Sequence, residues 1–206
     1  MKPMSPSPTN FSAAVEGPTD EAVLRRVVEH LGASLGPVYG ETGKNTLLRQ
    51  LHGYNQAAQF SPWIVLVDLD QGFECAPPAR EQWLPAPAPQ MCLRIAVREV
   101  ESWLMADRER LSEFLGIAVA RVPATPESLE NPKATLVGLA RGSRRHGIRM
   151  DMVPRPESGR SEGPAYASRL IEFAQGPWRP DIAAAHADSL QRLCPRVAEL
   201  IEKANK

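Results

Sequence analysis

The stretch FSAAVEGPTDEAVLRRVVEHLG, residues 11–32, decides how the rest of the chain is read. FSAAV (residues 11–15) is a short apolar run that stops at turn signals, which predicts a buried strand. Three carboxylates, Glu16, Asp20 and Glu21, then fall within six residues. Thr19 is placed to cap a helix, with Asp20 and Glu21 in the first turn, where the helix dipole favours acids. Val23, Leu24, Val27, Val28 and Leu31 recur at helical spacing until Gly32 ends the segment. A strand passing directly into a helix opens an α/β layer. Capping alone does not need so many acids, so these residues are also candidates for holding a cation.

Outward from this stretch, residues 37–39 predict a short second strand and residues 46–51 a helical piece. WIVLV (residues 63–67) is apolar throughout, as expected of a strand buried on both faces, and ends in Asp68-Leu69-Asp70. The five prolines between Cys75 and Pro89 predict a loop unable to be regular helix or central strand. MCLRIAV (residues 91–97) reads as a further strand. Glu99 onward reads as one helix carrying Trp103, Leu104, Leu111, Phe114 and Leu115. This alternation predicts a mainly parallel sheet flanked by helices over residues 11–116, after a disordered segment over residues 1–10. Beyond Gly116 the pattern is helical. Asn131-Pro132 gives an N-cap and a first-turn proline, Gly163-Pro164 opens another helix, and residues 189–204 form a last one that Pro195 kinks or restarts. Residues 117–206 are therefore expected to be a helical C-terminal extension packed on the sheet.

Composition narrows the function. The 24 basic and 24 acidic side chains cancel, so nucleic-acid binding would need a local basic patch. Cys75, Cys92 and Cys194 are odd in number and dispersed, which suits reduced thiols rather than a disulfide framework. Neither CxxC nor HExxH is present and the four histidines are scattered, arguing against zinc. No signal peptide or membrane-length apolar run is legible, so the expectation is a cytoplasmic protein without a membrane partner.

In a parallel sheet the carboxyl ends of the strands form one rim, where ligands bind. Glu16 and Asp20 follow the first strand, Asp68 and Asp70 end the central one, and Glu99 and Glu101 follow the next. Each carboxylate raises the proton affinity of its neighbours, and a hard cation such as Mg²⁺ or Mn²⁺ relieves that cost through oxygen ligands. Any one of these acids alone reads more readily as a helix cap or a solvated turn.

The residues also resemble a family. Glu-Gly-x-Thr-Asp-Glu after the first strand, with Asp-x-Asp after a later one, resembles the TOPRIM domain of topoisomerases, primases and OLD-family nucleases. VEGPTDE is most similar to the OLD-like branch. The stretch RIAVREVESWLMAD (residues 94–107) is similar to small bacterial TOPRIM-like proteins without assigned activity. The resemblance covers residues 11–107, and more loosely the tail through Asn131-Pro132-Lys133 and Gly163-Pro164-x-Tyr166. It implies Mg²⁺ or Mn²⁺ held by Glu16, Asp20, Asp68 and Asp70, with Glu99 or Glu101 as a further ligand or base. OLD-like proteins carry an ATPase domain for which 206 residues leave no room, so a separately encoded ATPase becomes a candidate partner.

GETGKNT (residues 40–46) looks briefly like a phosphate-binding loop but lacks the first glycine and has Asn45 after the lysine. Lys44 stays a candidate catalytic contact to phosphate, against the alternative of a solvated lysine. Lys133, Arg141, Arg144, Arg145 and Arg149 make a basic stretch suited to nucleic-acid phosphates, or simply a solvated surface. The tryptophans do not interleave with basic residues, so no stacking platform is expected. The leading expectation is a metal-dependent nuclease of DNA or RNA, with bacterial defence as a candidate setting and Glu16, Asp68, Glu101 and Lys44 catalytic. The alternative is a non-catalytic effector of the separate ATPase. A small-molecule phosphotransfer enzyme is less favoured, since no Gly-rich cradle is legible.

Overall fold

A computed structural model of the chain describes residues 8–40 and 42–204. In order, the elements are β1 (Asn10–Val15), α1 (Pro18–His30), β2 (Ser34–Gly40), α2 (Lys44–Ala57), β3 (Trp63–Asp68), α3 (Ala76–Trp83) and β4 (Met91–Ala96). A run of helices follows: α4 (Glu101–Ala106), α5 (Arg108–Leu115), α6 (Pro132–Arg141), α7 (His146–Met152), α8 (Tyr166–Gln175), α9 (Pro180–Ala184), α10 (Asp188–Gln191) and α11 (Leu193–Ala204). The four strands are all parallel, in the order β2-β1-β3-β4. The fold is α/β and Rossmann-like, as the alternation of patterns predicts. Most of the segment expected to be disordered, residues 1–7, lies outside the described residues. The Thr9 carbonyl accepts the Ser34 N–H at 2.9 Å and Asn10 begins β1.

Strand side chains alternate between two helical layers. Phe11, Ala13, Val15, Ile64, Leu66, Cys92 and Ala96 share one core with Val23, Leu24, Val27 and Val28 of α1. Trp103 of α4 and Leu170, Phe173, Trp178 and Val197 from the C-terminal helices belong to the same core. Ala14, Trp63, Val65, Val67 and Leu93 face the other way, onto Leu47 and Leu51 of α2. The helices beyond residue 117 share this core with α1 and α4, with α8 lying along α1.

Three local expectations are corrected. The cap of α1 is Gly17, with Pro18 first in the helix; Asp20 reaches back to accept the Gly17 N–H at 2.8 Å, so Thr19 is not needed as a cap. The proline-rich stretch does contain a helix, α3, because Pro77 and Pro78 fall in its first turn, where N–H groups have no intrahelical acceptor. The single helix expected from Glu99 is two, broken at Asp107. That buried carboxylate caps Arg110 N–H and takes a two-pronged ion pair from Arg179 at 2.6 and 3.0 Å. Of the two alternatives for the last helix, the structure shows the restart: the helix is interrupted at Arg192, and Pro195 lies in the first turn of α11.

Candidate functional site at the strand switch point

Strand order reverses between β1 and β3, since β2 lies to one side of β1 and β3 with β4 to the other. The crevice at the carboxyl ends of two such strands is where open α/β sheets bind ligands. The acids that follow these strands meet there. Glu16, one residue past β1, spans the junction, and its Oε1 accepts the Asp68 N–H at 2.8 Å. Asp68, the last residue of β3, accepts the Val100 N–H through Oδ1 at 3.0 Å and so ties β3 to the start of α4. Glu101 opens α4, only 4% exposed, and its Oε1 accepts the Tyr166 hydroxyl at 3.3 Å. Asp20, 8% exposed, keeps Oδ2 on the Gly17 N–H.

These four carboxylates share one field. Burial is the largest influence holding the Asp68 carboxyl well above the usual range, followed by the charges of Asp20, Glu101, Glu16 and Asp70. Burial, then Glu101 and Glu16, pushes Asp20 up to about 7. Glu101 is also pushed up to about 7, by burial first and by Glu99, against the opposing pull of Lys133. Burial raises Glu16 as well, although the Asp68 N–H and Lys44 act against it.

Two lysines border the group. Lys44, first residue of α2, donates to the Asp68 and Leu69 carbonyls at 2.5 and 3.3 Å and pairs with Asp70 Oδ2 at 2.8 Å. Its Nζ also lies 5.0 Å from the centroid of the Trp83 ring. Lys44 is thus fixed against the end of β3 rather than solvated. Lys133 Nζ lies 3.8 Å from Glu101 Oε1 and 3.7 Å from Glu162 Oε2. Burial works against its charge, but Glu101, Glu162, Glu99 and Asp68 outweigh that and raise its proton affinity.

Of the expected ligands, Glu16, Asp20 and Asp68 are brought together and Glu101 joins them. Asp70 stands at the margin, half exposed on its pair with Lys44, with its backbone in the left-handed region at φ 53°. Glu99 commits its Oε2 to the Lys133 N–H at 2.8 Å, although its charge still reaches Glu101. Among the described residues no three His, Cys, Asp or Glu side chains are drawn together tightly enough to hold a metal ion as they stand. The donor chemistry nonetheless fits a hard cation. Glu16, Asp20 and Asp68 each commit one oxygen to a backbone N–H, and among the described residues their second oxygens accept no protein hydrogen bond.

Sequence reasoning missed Tyr166 and Glu162, and placed Lys133 with the basic stretch instead of at the carboxylates. The only signals were the short Asn131-Pro132-Lys133 and Gly163-Pro164-x-Tyr166 patterns. The remaining basic residues lie elsewhere: Lys133 is second in α6 and Arg141 last, about 12 Å apart along the helix. Arg141, Arg144 and Arg145 are exposed, and Arg149 donates to the Ser143 carbonyl at 2.6 Å. Among the described residues no helix is long and apolar enough to cross a membrane.

No curated protein and no solved structure matches the chain. Residues 15–144 match the family described as a domain of unknown function, DUF4276. The match begins at the end of β1 and takes in Glu16, Asp20, Asp68, Glu101 and Lys133. It spans well over half of the sequence, and the chain belongs to the DUF4276 family.

Proposed function

We propose that the chain is a divalent-metal-dependent nuclease of the TOPRIM class, or the nuclease subunit of an assembly, cleaving phosphodiesters of DNA or RNA in the cytoplasm. The observation that carries this reading is the buried group Glu16, Asp20, Asp68 and Glu101 at the strand switch point, where burial raises all four carboxyls, Glu101 and Glu16 raise Asp20 further, and Asp20, Glu101 and Glu16 raise Asp68. Buried like charges of this kind are costly unless something positive is shared among them. Glu16, Asp20 and Asp68 would hold Mg²⁺ or Mn²⁺, with Asp70 at the margin. A bound divalent cation supplies the charge that lets these carboxylates ionise together, and it polarises a phosphoryl oxygen.

The chain's own groups supply the rest. Glu101, titrating near neutrality, is suited to take a proton from an attacking water. Tyr166, whose hydroxyl is held protonated by burial and by Glu101, orients that carboxylate. Lys44 is held rigidly by the β3 carbonyls, ready to meet a phosphate oxygen in place of Asp70. The exposed arginines beyond α6 offer a path for the nucleic-acid backbone. The test is cleavage of plasmid DNA and of labelled single-stranded DNA and RNA with Mg²⁺, Mn²⁺ or chelator. Cation-dependent cleavage lost in Asp68→Asn supports the reading; undiminished cleavage by that variant refutes it.

One observation favours a second reading: the carboxylates do not converge in groups of three as they stand. On that reading the chain is a non-catalytic effector of a separately encoded ATPase, as in bacterial defence. It then cleaves nothing under any divalent cation and instead forms a stable complex with the ATPase.

A further inference from the structure

We propose that the outer edge of β4 is a docking groove for an extended acidic peptide segment of a partner protein. The proposal stands independently of the carboxylate site, one strand away from the β1–β3 junction. In the ladder with β3, the Gln90 and Ala96 carbonyls accept the Trp63 and Leu69 N–H groups, so even-numbered residues of β4 point inward. Met91, Leu93, Ile95 and Val97 therefore turn their N–H and C=O groups outward. Two of these positions are tied down: the Met91 carbonyl accepts Arg196 Nη2 at 3.1 Å, and the Val97 N–H donates to Ser189 Oγ at 3.3 Å. Between them, among the described residues, the outward groups of Leu93 and Ile95 have no hydrogen-bond partner.

A cavity of about 480 Å³ opens on this stretch, walled by α3 on one side and by α10 and α11 on the other. Proteins normally blunt such an edge. Here arginines line it. Arg80 on the α3 side is exposed, and its guanidinium makes no hydrogen bond or ion pair among the described residues. On the other side Arg94 Nη2 donates to the Arg192 carbonyl at 2.8 Å, while its buried Nε has no hydrogen-bond partner among the described residues. Burial is the largest influence lowering the proton affinity of Arg94; Cys92 acts against it, while Arg80 and Arg192 add to it. Of the two acids lining the groove, Asp188 is already paired with Arg192 at 2.7 Å.

Two open rungs of ladder call for a backbone with N–H and C=O groups of its own, which a peptide has and a nucleic acid lacks. Strand addition of this kind draws affinity from the backbone and specificity from side-chain sites on either face. Guanidinium groups on both walls select carboxylates.

The test uses the full chain and fluorescence anisotropy with a labelled heptapeptide of alternating Thr and Glu. The expected result is saturable binding, weakened at least tenfold by Arg80→Glu and by Arg94→Gln, with circular dichroism confirming that the variants fold. Of two versions N-methylated at odd or at even positions, one loses binding at least tenfold. Absence of binding, equal binding of a Thr-Lys heptapeptide, or indifference to Arg80→Glu overturns the proposal. Full retention by both N-methylated versions overturns it as well. Arg80-dependent binding of a thymidine decanucleotide, with none of the peptide, would reassign the groove to nucleic acid.

Discussion

Replacing Asp20 by asparagine should change how the fold responds to pH. Asp20 is nearly buried and its carboxyl is raised from 3.8 to about 7, by burial first and then by Glu101 and Glu16. A group that holds its proton more tightly when folded stabilises the fold below its unfolded pKa and loses that contribution as pH rises through its folded pKa. For Asp20 the window runs from 3.8 to about 7. The whole window corresponds to about 4 kcal/mol, of which about 1.5 kcal/mol is already lost by pH 5, leaving about 2.5 kcal/mol between pH 5 and pH 8. Urea denaturation in chelator should show wild type less stable at pH 8 than at pH 5 by at least this amount, because Glu101 and Asp68 act in the same direction. Asparagine keeps an oxygen for the Gly17 N–H but carries no charge, so Asp20→Asn should remove about 2.5 kcal/mol of that slope. A wild-type stability that is flat or rises between these pH values, or a variant with the wild-type slope, would refute the electrostatic reading.

Lys44→Met should leave Asp70 unpaired and lower cation-dependent cleavage about a hundredfold, the scale seen when one charge-stabilising donor is lost, with an unchanged far-ultraviolet spectrum. Trp103→Ala removes a fully buried ring whose Nε1 donates to Ser189 Oγ at 2.7 Å, and should cost about 3–5 kcal/mol in urea denaturation. A loss under about 1 kcal/mol would contradict that packing. Gly40 has φ 99°, and an added Cβ would lie 2.2 Å from the Val15 carbonyl oxygen. Gly40→Ala should therefore destabilise by more than about 1 kcal/mol and disturb the rim beside Glu16, read as a lower urea midpoint.

β3 and β4 were legible because WIVLV is a continuous apolar run and MCLRIAV is apolar apart from Arg94, and both strands are largely buried. The break at Asp107 was not, because the apolar stripe continues across it and its cause, Arg179, lies 72 residues on. Prolines hid α3, since composition alone does not say whether they fall in a first turn or an interior. The site was legible where it depends on strand ends: Glu16 and Asp68 are placed by their positions just past β1 and at the end of β3. Glu99 and Glu101 look equivalent in sequence, yet Glu101 is the one buried beside Asp20 and Asp68, while Glu99 accepts the Lys133 N–H. The parts contributed by Lys133, Tyr166 and Glu162 come from helices far along the chain, and no local spacing relates them to the rim.

The most direct test is calorimetric titration of Mg²⁺ and Mn²⁺ into the wild-type chain and Asp68→Asn at neutral pH, repeated in buffers of different ionisation heat and with DNA present. The account predicts saturable binding to wild type with protons released, since Asp20 and Glu101 titrate near 7 and must ionise to hold a cation. It predicts that binding is lost in the variant. Equal binding by Asp68→Asn, or no binding by wild type with or without DNA, would contradict it.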